Sequence, residues 1–249
     1  MRIDLFGDGI GCVEYIKHDG NDLTTVNAAR VSFGAHKEKL DDKDVKLIKY
    51  LIDHDHTSPF EHCGITFRFV VPLFIRSQHH RHRTWSYNEI SRRYTSIDME
   101  LYEPEQFRSQ HKSNRQASTD VYINPDMNSA SNTLVPTPPY YASQAVKDHH
   151  GRSISLYNNL IDKGVCREQA RGILPQNLYT QYYGTVDLHN LFKFIDLRSH
   201  EGAQWEIQQV AKACLDIATN LFPATVAAWK QKKLDEVNIL KLVSKIKKK

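Results

Sequence analysis

Residues 202–222 carry an apolar stripe that only an α-helix can gather on one side. Ala203, Ile207, Val210, Cys214, Ile217 and Leu221 recur at steps of three and four residues. A stripe this long has to be buried against another element. Residues 65–71 follow a different rule. Ile65, Phe67, Phe69 and Val71 alternate with Thr66, Arg68 and Val70, which predicts a strand with one polar face. Pro72 suits the first turn of a helix, which is expected to run through Leu73 to Arg83.

Further elements can be placed around these two. The start, Arg2 to Phe6, reads as a short strand closed by the turn-like Gly7-Asp8-Gly9-Ile10-Gly11. That turn lacks the x-x-G ending of a dinucleotide fingerprint, and no helix clearly follows. Residues 41–54 read as a helix, with Asp41, Asp42 and Asp44 at its positive end and Val45, Ile48, Leu51 and Ile52 as its apolar stripe. Helices are also expected at 142–162 and 167–174, the latter ended by Pro175. Residues 109–139 are rich in Ser, Asn, Thr and Pro without periodicity and predict a long loop or insertion. A loop of that length is usually either functional or mobile, and a lid over the ligand is the expectation here.

With 249 residues, 25% charged and 40% hydrophobic, the chain has ordinary globular composition. The formal charge of +4 is a property of the end of the chain, since residues 229–249 hold eight lysines against Asp235 and Glu236. The remainder is slightly acidic, which argues against a nucleic-acid surface. We therefore divide the chain into a domain at 1–228 and a lysine-rich tail at 229–249, expected to be solvated. No window approaches the ~20 apolar residues of a membrane helix. Four scattered cysteines without a CxxC pair, and a start without a basic-then-apolar leader, fit a cytoplasmic setting.

The densest polar segment is 78–94, QHHRHRTWSYNEISRRY. Arginine forks suit phosphates and oxygen-rich planar rings because they donate two parallel hydrogen bonds. Arg81, His82 and Arg83 point in successive directions on a helix, so neighbours could serve two ligands. A solvated basic face or an RNA-binding arginine cluster would have the same composition.

Spacing narrows the choice. Arg81-His82-Arg83, seven residues and then Ser91 resembles the RHR-x7-S signature of flavin-dependent thymidylate synthases, and the likeness continues through Asn88-Glu89-Ile90-Ser91, Arg93 and Tyr94. His56-Thr57-Ser58-Pro59-Phe60-Glu61-His62 and Ala28-Ala29-Arg30-Val31-Ser32-Phe33 are similar to upstream blocks of that family. Ala170-Arg171-Gly172-Ile173-Leu174-Pro175, Asn177-Leu178-Tyr179-Thr180, Leu197-Arg198 and Ala203-Gln204-Trp205-Glu206-Ile207 resemble downstream ones, in the family's order across roughly 25–210.

The resemblance implies reductive methylation of dUMP to dTMP, with FAD, NADPH and methylene-tetrahydrofolate, in a homotetramer whose active sites form between subunits. C5 of uracil is a poor nucleophile, so charge must develop on the N3–O4 edge of the ring. A fixed guanidinium stabilises such charge without reorganising. The family position for that arginine is matched by Arg198; by itself, a salt bridge to Glu201 or Asp196 would be the ordinary role for such a residue. Gln78, Arg81, Glu89, Ser91, Arg92, Arg93 and Arg171 are implied to hold dUMP together with Arg198. Ser58, Arg81, His82, Arg83, Glu89, Asp187, His189 and Lys193 are implied to hold FAD, with His56 near flavin and folate. Ser91 has no base in sequence reach to make it a nucleophile. Cys63 reads as a buried structural thiol, and Trp205, Tyr182 and Tyr183 as core or subunit contacts.

Three positions depart from the family pattern: Asp187 and Lys193, where asparagine is usual, and Gly202, where histidine often stands. Asp187 and Lys193 could form a compensating pair. Two other functional classes compete. Six histidines between His54 and His82 could serve a metal enzyme, although no HExxH occurs. The 78–83 cluster with the lysine tail could serve an RNA-binding module, although no aromatic RNP-type motif is present. The reading adopted is one α+β domain, with a mixed or antiparallel sheet carrying packed helices, of the flavin-dependent thymidylate synthase type, without metal and without nucleic-acid or membrane partners.

Overall fold

A computed structural model describes residues 1–97, 99–128 and 138–246, with side chains described to residue 240. The chain opens with β1 (Arg2–Asp4), β2 (Cys12–Asp19), α1 (Asp22–Arg30) and α2 (Asp42–Asp53). β3 (Gly64–Pro72), α3 (Leu73–His79) and β4 (Ser86–Glu89) follow. Next come β5 (Phe107–Gln110), β6 (Ser118–Ile123), α4 (Ala142–Asp162) and α5 (Arg167–Ala170). β7 (Tyr179–Asp187), α6 (Leu188–Arg198), α7 (Trp205–Leu221) and α8 (Pro223–Ile246) complete it. The main sheet has the order β1-β2-β3-β7-β4 with every pairing antiparallel. The α+β expectation thus holds, with the antiparallel alternative realised.

β3 behaves as its alternation predicts. Ile65, Phe67, Phe69 and Val71 are wholly buried. On the other face Arg68 donates to Glu14 at 2.9 Å and Gln181 at 2.8 Å. Across the buried face lie α6 and α7, whose Leu188, Leu191, Phe194, Ile207, Val210, Cys214 and Ile217 share one core with β3. Each such side chain stabilises the fold by roughly 1.5–3 kcal/mol relative to exposure. Cys63 is buried beside Thr25, as a structural thiol should be, and burial raises its pKa. Tyr182 is buried, whereas Tyr183 is half exposed on the opposite face.

α2 forms as expected, capped by Asp41, whose side chain accepts from Lys43 and Asp44. Its buried face differs by one residue. Val45 is 40% exposed, while Asp44 is buried because Arg30 and Lys37 both reach its carboxylate at 2.6 Å. The 7–11 segment is the expected tight turn, with Gly7 and Gly9 at φ +73 and +74.

Four expectations change. α3 stops at His79 rather than running to Arg83, because the chain turns at His80–His82 and the carbonyls of His79 and His82 are both taken by the Tyr87 hydroxyl. The expected helix at 167–174 shrinks to α5 and a 3-10 turn before Leu174. The 109–139 region is not a plain loop: β5 and β6 pair as a hairpin, tied to α7 by Arg108, which donates to both Glu206 oxygens at 2.7 and 2.8 Å. The lid expectation rests partly on residues 129–137, which lie outside the described residues. The boundary drawn at 228/229 falls inside α8, which packs on α2 and α7. Trp229 stacks on Phe192 and Lys232 bonds Asp55, so the first part of the lysine-rich segment belongs to the fold. Among the described residues no helix is long and apolar enough to cross a membrane.

Candidate active site

The turn after α3 and the end of α6 meet. Arg198, the last residue of α6, donates from Nε to His82 Nε2 at 3.0 Å and from Nη2 to the Gln78 carbonyl at 3.2 Å. It has no carboxylate partner among the described residues; Asp196 pairs instead with Lys233 at 3.0 Å. Among the described residues Arg198 therefore does not form the salt bridge to Glu201 or Asp196 that would be its ordinary role. Burial lowers the Arg198 pKa, as expected for a cation drawn partly out of water.

His82 must accept from Arg198, so its proton sits on Nδ1. Burial first, and then the Arg198 charge, lower its pKa to about 4. The imidazole is neutral at pH 7. Beneath it His79 is wholly buried, with Nδ1 2.8 Å from the Tyr182 hydroxyl and its pKa driven well down by burial. Arg81 and Arg83 flank His82 and are exposed. Gln78 also reaches the Gln204 side chain.

Glu89, at the end of β4, accepts from Arg76 at 3.0 Å and from Thr180 at 2.7 Å. Neither partner is marked by a sequence signal of its own: Thr180 lies within the Asn177-Leu178-Tyr179-Thr180 block, and Arg76 is one polar residue of α3. The chain then turns. Ser91 accepts from the Arg93 backbone at 3.3 Å. Arg92 donates to the carbonyls of Ile97 and Tyr179, and Arg93 lies 4.0 Å from Glu168 on α5. Arg171, just beyond α5, is exposed.

A second region lies around the 3-10 turn Ser58–His62. A groove of about 860 Å³ is lined by Ser58, His56, Tyr50, Arg30, Ser32 and Phe33, among others. Phe33 is 88% exposed, an unusual position for a large ring. A neighbouring cleft of about 210 Å³ joins His56 to His189 and Lys193. Neither cleft includes Arg81, Glu89 or Arg198, so one chain presents its predicted site residues as separate groups. An aromatic groove with serine, histidine and arginine at its margins suits a planar, polar-edged cofactor such as a flavin.

Asp187 does not pair with Lys193 among the described residues. It caps α6, accepting from the Asn190 backbone at 2.8 Å and the Asn190 side chain at 2.7 Å. A carboxylate suits the positive end of a helix, which is the stronger local demand. Gly202 donates its N–H to His200 Nδ1 at 3.0 Å. Among the described residues no three His, Cys, Asp or Glu side chains gather as metal ligands would. His54 instead packs against Tyr50, with ring centres 4.1 Å apart and the rings tilted by 30°.

The model of the thymidylate synthase complementing protein family matches residues 14–224. A flavin-dependent thymidylate synthase from Thermus thermophilus is 40% identical over 225 residues, covering 90% of this chain and 77% of the relative. One from Thermotoga neapolitana is 38% identical over 229 residues, covering 92% and 94%. Among solved structures, the UMP/dUMP methylase PolB from Streptomyces cacaoi, crystallised with 5-Br dUMP, matches with a TM-score of 0.74 at 28% identity, covering 92% of this chain and 97% of that one.

Proposed function

Because the chain belongs to the flavin-dependent thymidylate synthase family, we propose that it methylates dUMP to dTMP, with FAD as flavin, NADPH as reductant and methylene-tetrahydrofolate as carbon donor. The observation that carries the reading furthest is Arg198, a partly buried cation without a carboxylate partner among the described residues, held against the Arg81-His82-Arg83 turn. Free of a carboxylate, its charge remains available to the uracil edge. There it favours the ring form with negative charge on N3 and O4, the form whose C5 attacks the carbon donor.

The other residues bind and orient. Arg81, Arg92, Arg93 and Arg171 supply donors for the phosphate and ring oxygens of dUMP, and Gln78 supplies a side-chain amide. Glu89 accepts a ring N–H or a ribose hydroxyl, its carboxylate already fixed by Arg76 and Thr180, and Ser91 is a ligand contact. On the flavin side stand Ser58, Arg81, His82, Arg83, Glu89, Asp187, His189 and Lys193, with His56 at the flavin–folate margin. A bound flavin supplies hydride transfer, and the protein supplies position and electrostatics.

The exposed placement of Ser58, Arg81, Arg83 and Arg171, in groups that one chain keeps apart, supports a homotetramer with sites completed between subunits. A cytoplasmic enzyme acting on free nucleotides fits this reading. The test is an anaerobic assay of the purified protein with dUMP, methylene-tetrahydrofolate, NADPH and FAD. Formation of dTMP that stops when either FAD or the folate is omitted is expected. Flavin-loaded protein that makes no dTMP from the full mixture would refute the proposal.

A further inference from the structure

We propose that Tyr87 and His82 are positioning residues for Arg198: Tyr87 clamps the turn that carries His82, and His82 Nε2 locks the guanidinium by accepting from the Arg198 Nε–H. The inference rests on the reading that Arg198 activates the uracil ring.

Two of the three guanidinium nitrogens of Arg198 are held by one short stretch of chain. Nε donates to His82 Nε2 at 3.0 Å, and Nη2 donates to the Gln78 carbonyl at 3.2 Å. Nη1 has no hydrogen-bond partner among the described residues. The guanidinium is thus anchored along one side and keeps one donor group for a ligand. An arginine side chain loses much rotamer freedom when fixed, and here that ordering precedes any ligand.

The anchor depends on the shape of the His79–His82 turn. The His82 N–H donates to the His79 carbonyl at 2.9 Å, which closes the turn from within. The Tyr87 hydroxyl closes it from outside, shared between the His79 carbonyl at 2.9 Å and the His82 carbonyl at 3.1 Å. Tyr87 is itself fixed. It lies opposite Gly184 in the β4–β7 register, its ring packs on His80 with centres 4.1 Å apart, and it lies near-parallel to Trp85. Position passes from a strand of the main sheet, through one phenol, to a turn and then to the cation on α6. A fork misplaced by about 1 Å can cost on the order of 100-fold in rate.

The test compares Tyr87→Phe, His82→Gln, His82→Leu and Arg198→Ala, each assayed per bound flavin at saturating FAD. Glutamine places an acceptor oxygen near the position of His82 Nε2, and leucine places none. Loss of one hydrogen bond predicts a fall in kcat of about 5–10-fold for Tyr87→Phe. His82→Leu should fall further, His82→Gln should recover at least about 5-fold over His82→Leu, and KM for dUMP should move much less than kcat. A role confined to folding or to holding flavin would change stability or FAD affinity, and would not separate glutamine from leucine in kcat per bound flavin. Equal kcat for the two His82 variants, or unchanged kcat in Tyr87→Phe, would overturn the inference while Arg198→Ala remains inactive. Normal turnover by Arg198→Ala would instead remove the arginine's role, and the inference with it.

Discussion

The Nε–H of Arg198 ends on the Nε2 lone pair of His82, 3.0 Å away, so a permanent cation is held by an imidazole that must stay neutral. Protonating His82 would set two positive charges against each other. The folded protein resists this, with the His82 pKa lowered from 6.5 to about 4 by burial and by Arg198. His79 is shifted in the same direction.

A pH dependence follows from that shift. Between pH 6.5 and 4 the unfolded chain binds a proton at His82 and the folded chain does not, and burial of His79 acts in the same direction. The His82 contribution to stability is therefore complete above about pH 6.5 and is lost as the pH falls toward 4. Urea unfolding at several pH values across this window should show a falling midpoint, and His82→Gln should flatten the fall. An identical pH profile in the variant would contradict the account.

Arg198→Ala should fold and retain flavin, because no carboxylate is left unpaired by its removal. Its dTMP formation should fall by at least about 100-fold, the scale of removing one preorganised donor from developing charge. Melting temperature, flavin content and turnover measured on one preparation decide the matter. Near-normal turnover would end the proposed role.

Arg108 ties the β5–β6 hairpin to the body of the fold through Glu206, which is only 6% exposed. Its guanidinium also lies over the Trp205 ring at 5.0 Å. Arg108→Ala leaves a buried carboxylate without its cation, at a cost of about 3 kcal/mol. The hairpin should then become more sensitive to protease than the rest of the chain. Unchanged digestion at 107–123 would show that other contacts hold it.

Gly184 sits where β7 passes under the buried rings. A Cβ there would lie 2.9 Å from the Phe69 ring and 3.2 Å from Trp85. Both rings are buried, so neither can move aside freely. Gly184→Ala should cost about 1–3 kcal/mol by overpacking. A Tm equal to that of the unsubstituted protein would mean the strand shifts without strain.

Much of this was legible in the residues. The alternation at 65–71 and the stripe at 202–222 each fixed a buried face, because one period dominates over a long enough window. The chemical blocks were legible through their order and spacing. What escaped were choices made by contacts distant in sequence. No local signal shows that α3 ends at His79, since its terminus is set by a phenol on β4. By position Asp44 is a helix-end charge, yet it is buried because Arg30 and Lys37 arrive from outside α2. The 109–139 composition argued for loop, whereas its anchor, Arg108, lies one residue outside that stretch and meets a partner on α7. Asp187 looked like half of a charge pair, but the helix starting after it made the stronger claim.

The most direct test of the central claim is a visible absorption spectrum of the purified protein, recorded anaerobically as NADPH and then dUMP are added. The account predicts a yellow protein whose flavin bands bleach with NADPH, at a rate that dUMP alters. A colourless protein that takes up no added FAD would contradict it.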